Sequence, residues 1–250
     1  LTGVACGARP VAAAVFAQPE PAIASDPARP SLALQLRHAV GSALLPRMAP
    51  TPLVIASGNA GKLREFGSLL EHLPLLIRPQ PEGLEVEETG TSFAENARLK
   101  ARAVAQACGC WALADDSGLS VAALGGAPGV HSARYAATDP ERIARLLREL
   151  DAAVLEGRNR GASPDRSACF TAALAVADPA GSIVLEVEGI CPGEILTAPR
   201  GDGGFGYDPV FLVPEVALTF AEMDKATKAR LGHRGRAFAL LEPRLRQLLG

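Results

Sequence analysis

The segment Trp111–Leu119, with the sequence WALADDSGL, constrains this chain more than any other part of it. An apolar run, Ala112–Ala114, leads directly into two adjacent carboxylates, Asp115 and Asp116. A short apolar run bounded by a glycine predicts a buried strand. Two acids at the end of such a strand are costly unless a cation or a reaction uses them. The alternative is a capped turn, because Asp, Ser and Gly all favour turns, and the neighbouring motifs decide between the two.

The composition sets limits on the class of protein. At 250 residues, the chain is long enough for one large domain or two small ones. With 48% hydrophobic and 21% charged residues, it is typical of a soluble globular protein. A net charge of -2 gives no indication of a nucleic-acid or membrane-surface partner, and no apolar run approaches the roughly 18 residues of a membrane span. The five cysteines, odd in number and irregularly spaced, favour a reduced, cytoplasmic protein.

Residues 1–47 differ from the rest of the chain because they are rich in Ala and Pro. An apolar run, Val11–Ala17, follows Arg9, so a weak signal peptide is one interpretation. The interpretation we favour is a disordered or non-native extension, with Met48 as the biological start. A single catalytic domain is then expected over residues 48–250.

A strand, a turn and a helix follow at residues 53–71. Leu53–Ala56 is predicted as a buried strand, Ser57–Lys62 as a Gly-containing turn, and a helix is expected to about Glu71. This arrangement aims backbone N–H groups at an anion. The helix dipole disfavours Lys62 in the first turn, unless its ammonium faces a phosphate. The spacing does not match a Walker P-loop, and a plain tight turn is the alternative.

An acidic loop, Glu85–Gly90, and a helix precede the two aspartates. Ser92 and Glu95 have the spacing of a capping box, and apolar residues from Phe93 to Cys108 fall on one helical face. Asn96 and Lys100 share another face, where they are either functional or merely solvated.

The remaining elements are predicted from their patterns. In chain order they are a strand near Leu75–Ile77, a helix over Pro140–Leu150, a polar loop over Gly157–Arg166, a hairpin of Phe170–Ala177 and Ile183–Gly189 joined by the four residues Asp178–Gly181, a strand over Val210–Val213, and a last helix over about Arg236–Leu249 whose buried stripe is Phe238, Leu241, Leu245 and Leu248. Gly201–Gly206 has the spacing G-x-G-x-x-G, but no strand-to-helix unit surrounds it, so a dinucleotide site is discounted.

These parts are chemically complementary. Carboxylates suit Mg²⁺, which usually binds through a few carboxylates together with substrate phosphates, and lysines and helix N-termini suit the phosphates. The set indicates metal-assisted chemistry on a nucleoside polyphosphate.

The motifs resemble those of the ITP/XTP pyrophosphatases, a family that removes deaminated purine nucleotides. The matching segments are Ser57–Lys62, Glu87–Gly90, Phe93–Ala97, Leu99–Ala101, Ala114–Leu119, Gly125–Gly129, Ser132–Tyr135, Gly203–Pro209 and His233–Gly235. They run in order from about Leu53 to Leu249. The pattern departs at Gly232, where the family usually has Ser, and at Lys225 and Ala226, where acidic residues are common.

The resemblance implies an α/β fold: a homodimer of two-lobed protomers, each with a long central mixed sheet flanked by helices and a cleft between the lobes. It implies Mg²⁺-dependent hydrolysis of ITP, dITP and XTP to the monophosphate and pyrophosphate. By position, Asp116 is the expected base and a metal ligand, and Glu87 or Glu88 is the other acidic ligand. The triphosphate is expected to contact Ser57, Gly58, Asn59, Ala60, Gly61, Lys62, Lys100 and Ser117. The base pocket is expected to comprise Phe205, Gly206, Tyr207, Asp208, Lys228, His233 and Arg234.

Two other functions remain open on the sequence alone. One is a Maf-like nucleotide pyrophosphatase with a different base specificity, and the other is a nucleotide-binding protein without catalysis. Arg234 can only donate hydrogen bonds, so we expect it to contact the C6 oxo group that distinguishes hypoxanthine and xanthine from adenine.

Overall fold

The computed structural model describes residues 50–161, 163 and 165–249. The interpretation of residues 1–47 as an extension lies outside this range. Within it, a seven-stranded sheet has the order β2-β1-β3-β4-β5-β6-β7. The strands are β1 (Thr51–Ala56), β2 (Leu75–Pro79), β3 (Trp111–Val121), β4 (Ser167–Ala177), β5 (Ile183–Ile195), β6 (Phe211–Val213) and β7 (Leu218–Thr219). The helices are α1 (Ala60–Leu70), α2 (Phe93–Cys108), α3 (Asp139–Asn159), α4 (Lys225–Leu231) and α5 (His233–Leu249).

The sheet is mixed, which confirms the predicted fold class. β1 is parallel to both β2 and β3, whereas every later pair of neighbours is antiparallel. Parallel neighbours need crossover connections, and α1 and α2 lie in those connections. The consecutive strands β4 and β5 instead form the predicted hairpin.

The two faces of the sheet bury different side chains because strand residues alternate in direction. On one face, large residues such as Leu53, Ile55 and Leu113 pack with Phe66 of α1 and Phe238 of α5. On the other face the strand residues are small. Alanines of β1, β3 and β4 pack against the alanines and Val104 of α2: they are Ala56, Ala112, Ala114, Ala173, Ala175 and Ala177 on the strands and Ala97, Ala101 and Ala105 on the helix.

A third cluster forms at the far end of β3 and β4. Leu119 and Phe170 pack there with Phe211 and Phe220 and with Leu146 of α3. Phe170 and Phe211 meet edge to face, with centroids 4.8 Å apart. The residues of β3 that lie between this cluster and the other two are Asp115, Asp116, Ser117 and Gly118.

Several predicted boundaries are wrong. The two aspartates lie in the middle of β3 rather than at its end, because β4 pairs with β3 continuously from Ala112 to Val121. α3 continues to Asn159, so the expected loop at Gly157–Arg166 begins inside a helix.

The last helix and the hairpin also differ from the prediction. α5 begins at His233 rather than at Arg236. Leu248, expected in its buried stripe, is instead exposed, with 39% of its surface accessible. Residues 178–182 join β4 to β5, one more than expected. Of the four cysteines in the described part of the chain, only Cys191 is buried. No helix among the described residues is long and apolar enough to cross a membrane.

Candidate active site

The turn between β1 and α1 is capped by a side chain from within the turn. Asn59 is the N-cap residue of α1, and its Oδ1 accepts hydrogen bonds from the amides of Gly61 at 2.8 Å and Lys62 at 3.1 Å. Ser57 Oγ accepts from the Asn59 amide at 3.1 Å. A Cβ at position 61 would lie 2.9 Å from the Phe205 ring, so the close approach of that ring requires glycine. These contacts fix the turn and make Lys62 the third residue of α1.

Asp115 lies on the face of β3 that meets α1 and α5, and two cations surround it. Its Oδ2 is 2.7 Å from Lys62 Nζ and 3.4 Å from Arg234 Nε, and Ser117 Oγ donates to it at 3.1 Å. Only 1% of Asp115 is exposed. Burial acts to raise the pKa of its carboxyl, but Lys62 and Arg234 hold that pKa well below its ordinary value. Asp115 is thus a buried carboxylate whose charged form is stabilised by two cations.

Asp116 points to the opposite face, toward α2. Lys100 Nζ binds its Oδ1 at 2.8 Å, and Asn96 Nδ2 donates to its Oδ2 at 3.2 Å. Burial raises the pKa of Asp116 above its ordinary value, although the charge of Lys100 acts against this shift. The two neighbouring acids therefore differ in chemistry: Asp116 binds a proton more readily than Asp115 does.

The acidic loop has three glutamates, of which Glu85 and Glu88 line the cleft. Among the described residues, only Glu88 of these two forms ion pairs there. Its Oε1 is 2.8 Å from Lys100 Nζ, and its Oε2 is 2.5 Å from Arg134 Nη1. Burial acts to raise the pKa of Glu88, but the hydrogen bonds from Lys100 and Arg134 lower it to about 2. Glu87 is exposed and does not line the cleft.

Two carboxylates of the site are placed as ligands of a magnesium ion would be. No group of three His, Cys, Asp or Glu side chains among the described residues could hold a metal by itself. Glu88 and Asp116, however, each place a carboxylate oxygen 2.8 Å from the same ammonium, that of Lys100. Two carboxylates converging on one cation, completed by substrate phosphates, are the kind of set that Mg²⁺ uses. Glu88 and Asp116 therefore fit the ion, and Glu87 does not.

Phe205 and the residues around it form another part of the cleft lining. Lys228 Nζ lies 5.1 Å and Arg234 Cζ 5.5 Å from the centroid of its ring, within the range of cation–π attraction. Asp208 accepts from the Phe205 amide at 2.9 Å and from Lys228 Nζ at 2.6 Å. Gly204 has a φ of +75°, and a Cβ there would lie 1.9 Å from Asp208 Oδ2, so this turn requires glycine.

His233 is the side chain with the clearest need of a ligand. It is 3% exposed, and neither ring nitrogen has a hydrogen-bond partner among the residues that the structure describes. Its ring stacks on Phe170, with centroids 4.7 Å apart and planes 13° apart. Burial lowers the pKa of His233 well below its ordinary value, so the ring is neutral and has one donor and one acceptor to offer. Buried polar atoms are normally paired, and His233 borders the cleft.

One cleft of about 750 Å³ joins these parts, which is the size of a small-molecule site. It is lined by most of the residues predicted from the sequence: Ser57, Gly58, Asn59, Ala60, Gly61, Lys62, Glu88, Lys100, Asp116, Ser117, Phe205, Gly206, Tyr207, Asp208, His233 and Arg234. Glu87 and Lys228 do not line it, although Lys228 contacts two lining residues, Phe205 and Asp208.

The comparisons with known proteins identify the family. A family model described as the Ham1 family matches residues 53–244. The chain belongs to the Ham1 family. A protein of Parasynechococcus marenigrum named dITP/XTP pyrophosphatase is 64% identical over 197 residues, which are 79% of this chain and 96% of that protein. A Nostoc protein of the same name is 54% identical over 79% of this chain and 95% of its own length.

Solved structures of Ham1 proteins have the same fold. A HAM1 protein from Coxiella burnetii is 44% identical, with a TM-score of 0.70, and the match covers 79% of this chain and all but 1% of that one. A nucleoside-triphosphatase / dITP/XTP pyrophosphatase from Mycobacterium abscessus is 39% identical, with a TM-score of 0.59, over 77% of this chain and 100% of that one. The family resemblance predicted from the sequence motifs is confirmed.

Some contacts of this Ham1-family site were missed in the sequence. Glu65 Oε2 binds Arg234 Nη1 at 2.8 Å, and its Oε1 lies 3.0 Å from Lys228 Nζ. The sequence could have indicated Glu65, because it lies three residues after Lys62 on α1 and that spacing puts both side chains on one helical face. Asp139 Oδ2 accepts from the Gly206 amide at 2.7 Å, a contact for which the sequence offers no signal.

Proposed function

We propose that this chain hydrolyses deaminated purine nucleoside triphosphates, namely ITP, dITP and XTP, to the nucleoside monophosphate and pyrophosphate. The observation that carries the proposal is the cleft itself, whose lining combines the charged side chains of Lys62, Lys100 and Asp116 with the rings of Phe205 and His233. Such a cleft suits a ligand with a polyanionic end and a flat, polar aromatic end. The names of the relatives support the same substrate class.

Asp116 is proposed as the general base. Its raised pKa makes it a better proton acceptor than an exposed aspartate, and its Oδ1 faces Lys100 at the cleft. In the proposed reaction Asp116 takes a proton from water, and the oxygen of that water attacks the α-phosphorus. The α–β anhydride bond breaks, and pyrophosphate leaves with the bonding electrons.

Lys62 and Lys100 are proposed to hold the triphosphate. Asp115 Oδ2 fixes the Lys62 ammonium at 2.7 Å, so this cation is in position before any ligand binds. Donors fixed in advance stabilise charge developing in the transition state without reorganisation. The remaining polar contacts of the phosphate end are assigned to the turn Ser57–Gly61 and to Ser117.

A magnesium ion is proposed as the cofactor, with Asp116 and Glu88 as the protein ligands. When bound, it would neutralise negative charge on the phosphate oxygens and act as a Lewis acid. Lys100 contacts both carboxylates, so it keeps them together and reduces their mutual repulsion.

The purine is proposed to lie beside Phe205 with one edge toward the ring nitrogens of His233, and Tyr207 and Asp208 are proposed to shape the pocket. The unpartnered nitrogens of His233 and the guanidinium of Arg234 are the proposed polar contacts to the base. Guanine also carries a C6 oxo group, so its 2-amino group must be rejected elsewhere, and the backbone at Gly203–Gly206 is proposed for that role.

We further propose a homodimer in the cytoplasm, with residues 48–250 as the catalytic domain. The family match at residues 53–244 supports this assignment of the domain.

The test is pyrophosphate release from ATP, GTP, ITP, XTP and dTTP, each with Mg²⁺ and again with excess EDTA. We expect release from ITP and XTP that exceeds release from ATP and GTP and that stops in EDTA. A preference for dTTP would point to a Maf-like specificity instead. Binding of ITP without any pyrophosphate release would identify a binding protein and contradict the proposal.

A further inference from the structure

Asn96 joins two parts of the site that are far apart in sequence. It lies in the first turns of α2 and is wholly buried. Its Oδ1 accepts a hydrogen bond from the Gly90 amide at 2.8 Å, and its Nδ2 donates to Asp116 Oδ2 at 3.2 Å. The partners fix the orientation of the amide, because the Gly90 amide can only donate and a carboxylate can only accept.

The contact with Gly90 anchors the loop that carries Glu88. A Cβ at position 90 would lie 2.7 Å from Asn96 Oδ1 and 2.6 Å from Glu95 Cβ, so the loop backbone is pressed onto the start of α2. Glu95 Oε2 holds the next residue by accepting from the Thr91 amide at 2.7 Å. Glu88 is therefore only two residues from a point that is tied to Asn96.

The contact with Asp116 takes one carboxylate oxygen and leaves the other to Lys100. Asn96 occupies Oδ2, while Oδ1 faces Lys100. A carboxylate held at one oxygen by a buried donor has a fixed rotation about its last bond. The other oxygen is then directed to the place where Lys100 and Glu88 meet.

We propose that Asn96 is a positioning residue, which sets the rotation of the Asp116 carboxylate and its separation from Glu88. The inference rests on the proposed function, because it gives Asp116 and Glu88 their roles. Only an amide meets both requirements at this position. An aspartate would accept from Gly90 but could not donate to Asp116, and a leucine would fill the space without either hydrogen bond.

Two variants and one control separate positioning from simple packing. Asn96→Asp keeps the anchor for Gly90 and replaces the donor to Asp116 by a second carboxyl group, so the rotation of Asp116 in its crystal structure is the readout that does not depend on the added charge. Asn96→Leu removes both contacts and keeps the same number and branching of side-chain heavy atoms. The matched control is Thr219→Val on β7. Thr219 is also wholly buried, donates one hydrogen bond to the Arg200 carbonyl at 2.8 Å, and does not line the cleft.

The measurements are kcat and KM for ITP, the melting temperature of each variant and crystal structures of both Asn96 variants. A displacement of about 1 Å at a reacting group can reduce rate by roughly 10²-fold. We therefore expect kcat to fall on the order of 10- to 100-fold in both Asn96 variants, with KM changed less than about threefold. Thr219→Val should lower the melting temperature and leave kcat unchanged. In the crystals, the Asp116 carboxylate should be rotated, and in Asn96→Leu the Glu88 loop should also be displaced.

The inference is overturned if a folded Asn96 variant keeps the kcat of the native protein, or if Thr219→Val loses kcat to the same extent. Should Asn96→Leu fail to fold, Asn96→Asp gives the decision. If the native protein releases no pyrophosphate from any nucleotide, the proposed function fails. The crystal structures then test Asn96 independently, and an Asp116 carboxylate unchanged in both variants would overturn its positioning role.

Discussion

Asp115 and Asp116 are residues of the same type at neighbouring positions of β3, and their side chains lie on opposite faces of the sheet. Asp115 lies against α1 and α5, where Lys62 and Arg234 both contact one of its oxygens. Asp116 lies against α2, where it shares the single cation of Lys100 with Glu88. The pKa of Asp115 is lowered and that of Asp116 is raised.

The difference lies in how many cations each face supplies for its acid. Both carboxylates are desolvated, and desolvation alone raises the pKa of each. Two neighbouring cations reverse that shift at Asp115, whereas one cation shared with another acid does not reverse it at Asp116. Asp115 is therefore suited to hold Lys62 and Arg234 in place, and Asp116 is suited to accept a proton.

The largest expected effect is that of Asp116→Asn on activity. The amide cannot act as a base, so kcat for ITP should fall on the order of 10²- to 10⁴-fold. Burial already disfavours the charge of Asp116, so its loss should change the melting temperature little. Kinetics and thermal unfolding of the same preparation check both statements. Near-normal turnover in a well-folded variant would remove Asp116 from the mechanism.

Asp115→Asn, unlike Asp116→Asn, should lower the free energy of unfolding. The substitution leaves Lys62 and Arg234 buried without their shared anion, and breaking a buried ion pair in this way costs roughly 3–5 kcal/mol. Denaturant unfolding at neutral pH measures the change. A variant as stable as Asp116→Asn would contradict the assignment of the two faces.

The pH dependence of this loss follows from the lowered pKa of Asp115. A carboxyl whose pKa is lower in the folded state contributes stability above its unfolded pKa and loses it as pH falls through the folded value. The deficit of Asp115→Asn relative to the native protein should therefore be full at neutral pH. It should shrink below about pH 4, where the unfolded carboxyl becomes protonated.

The comparison also explains what the sequence could and could not predict. The motif at Asp115 and Asp116 identified a functional strand, because burying carboxylates in an apolar run is costly unless a cation or a reaction uses them. It did not show that the strand continues past them, since that depends on pairing with β4 from about 50 residues later in the chain. It also left Glu87 and Glu88 equivalent. An irregular loop has no period to tell which side chain faces inward, and the contacts of Glu88 with Lys100 and Arg134 join residues 12 and 46 positions apart.

The same limit applies to the Asp115 face. Arg234 was predicted to lie in the site, and it does, but its partners Glu65 and Asp115 are more than 100 residues away in the chain. Helical spacing relates Glu65 to Lys62 within α1. It cannot show that α5 packs beside α1 and brings Arg234 to Glu65.

The smallest expected effect concerns Arg234, which belongs to the Asp115 face and also borders the cleft. Its guanidinium donates to Asp115, Glu65 and Ser117 Oγ. If it also contacts the purine C6 oxo group, Arg234→Ala should reduce kcat/KM for ITP more than for ATP. A hydrogen bond from a charged donor contributes enough for the ratio between the two substrates to narrow on the order of tenfold.

Arg236→Ala is the matched control. Arg236 is on the same helix, and within the described part of the chain it pairs only with Glu215, at 3.8 Å, and with the Leu231 carbonyl. It should leave kcat/KM for both substrates within about twofold of native, since an exposed pair of this kind contributes little. Equal losses for ITP and ATP in Arg234→Ala would show that its guanidinium serves Asp115 rather than the base. Arg234 would then act with Lys62 as one of two cations that keep Asp115 charged, and recognition of the C6 oxo group would fall to His233.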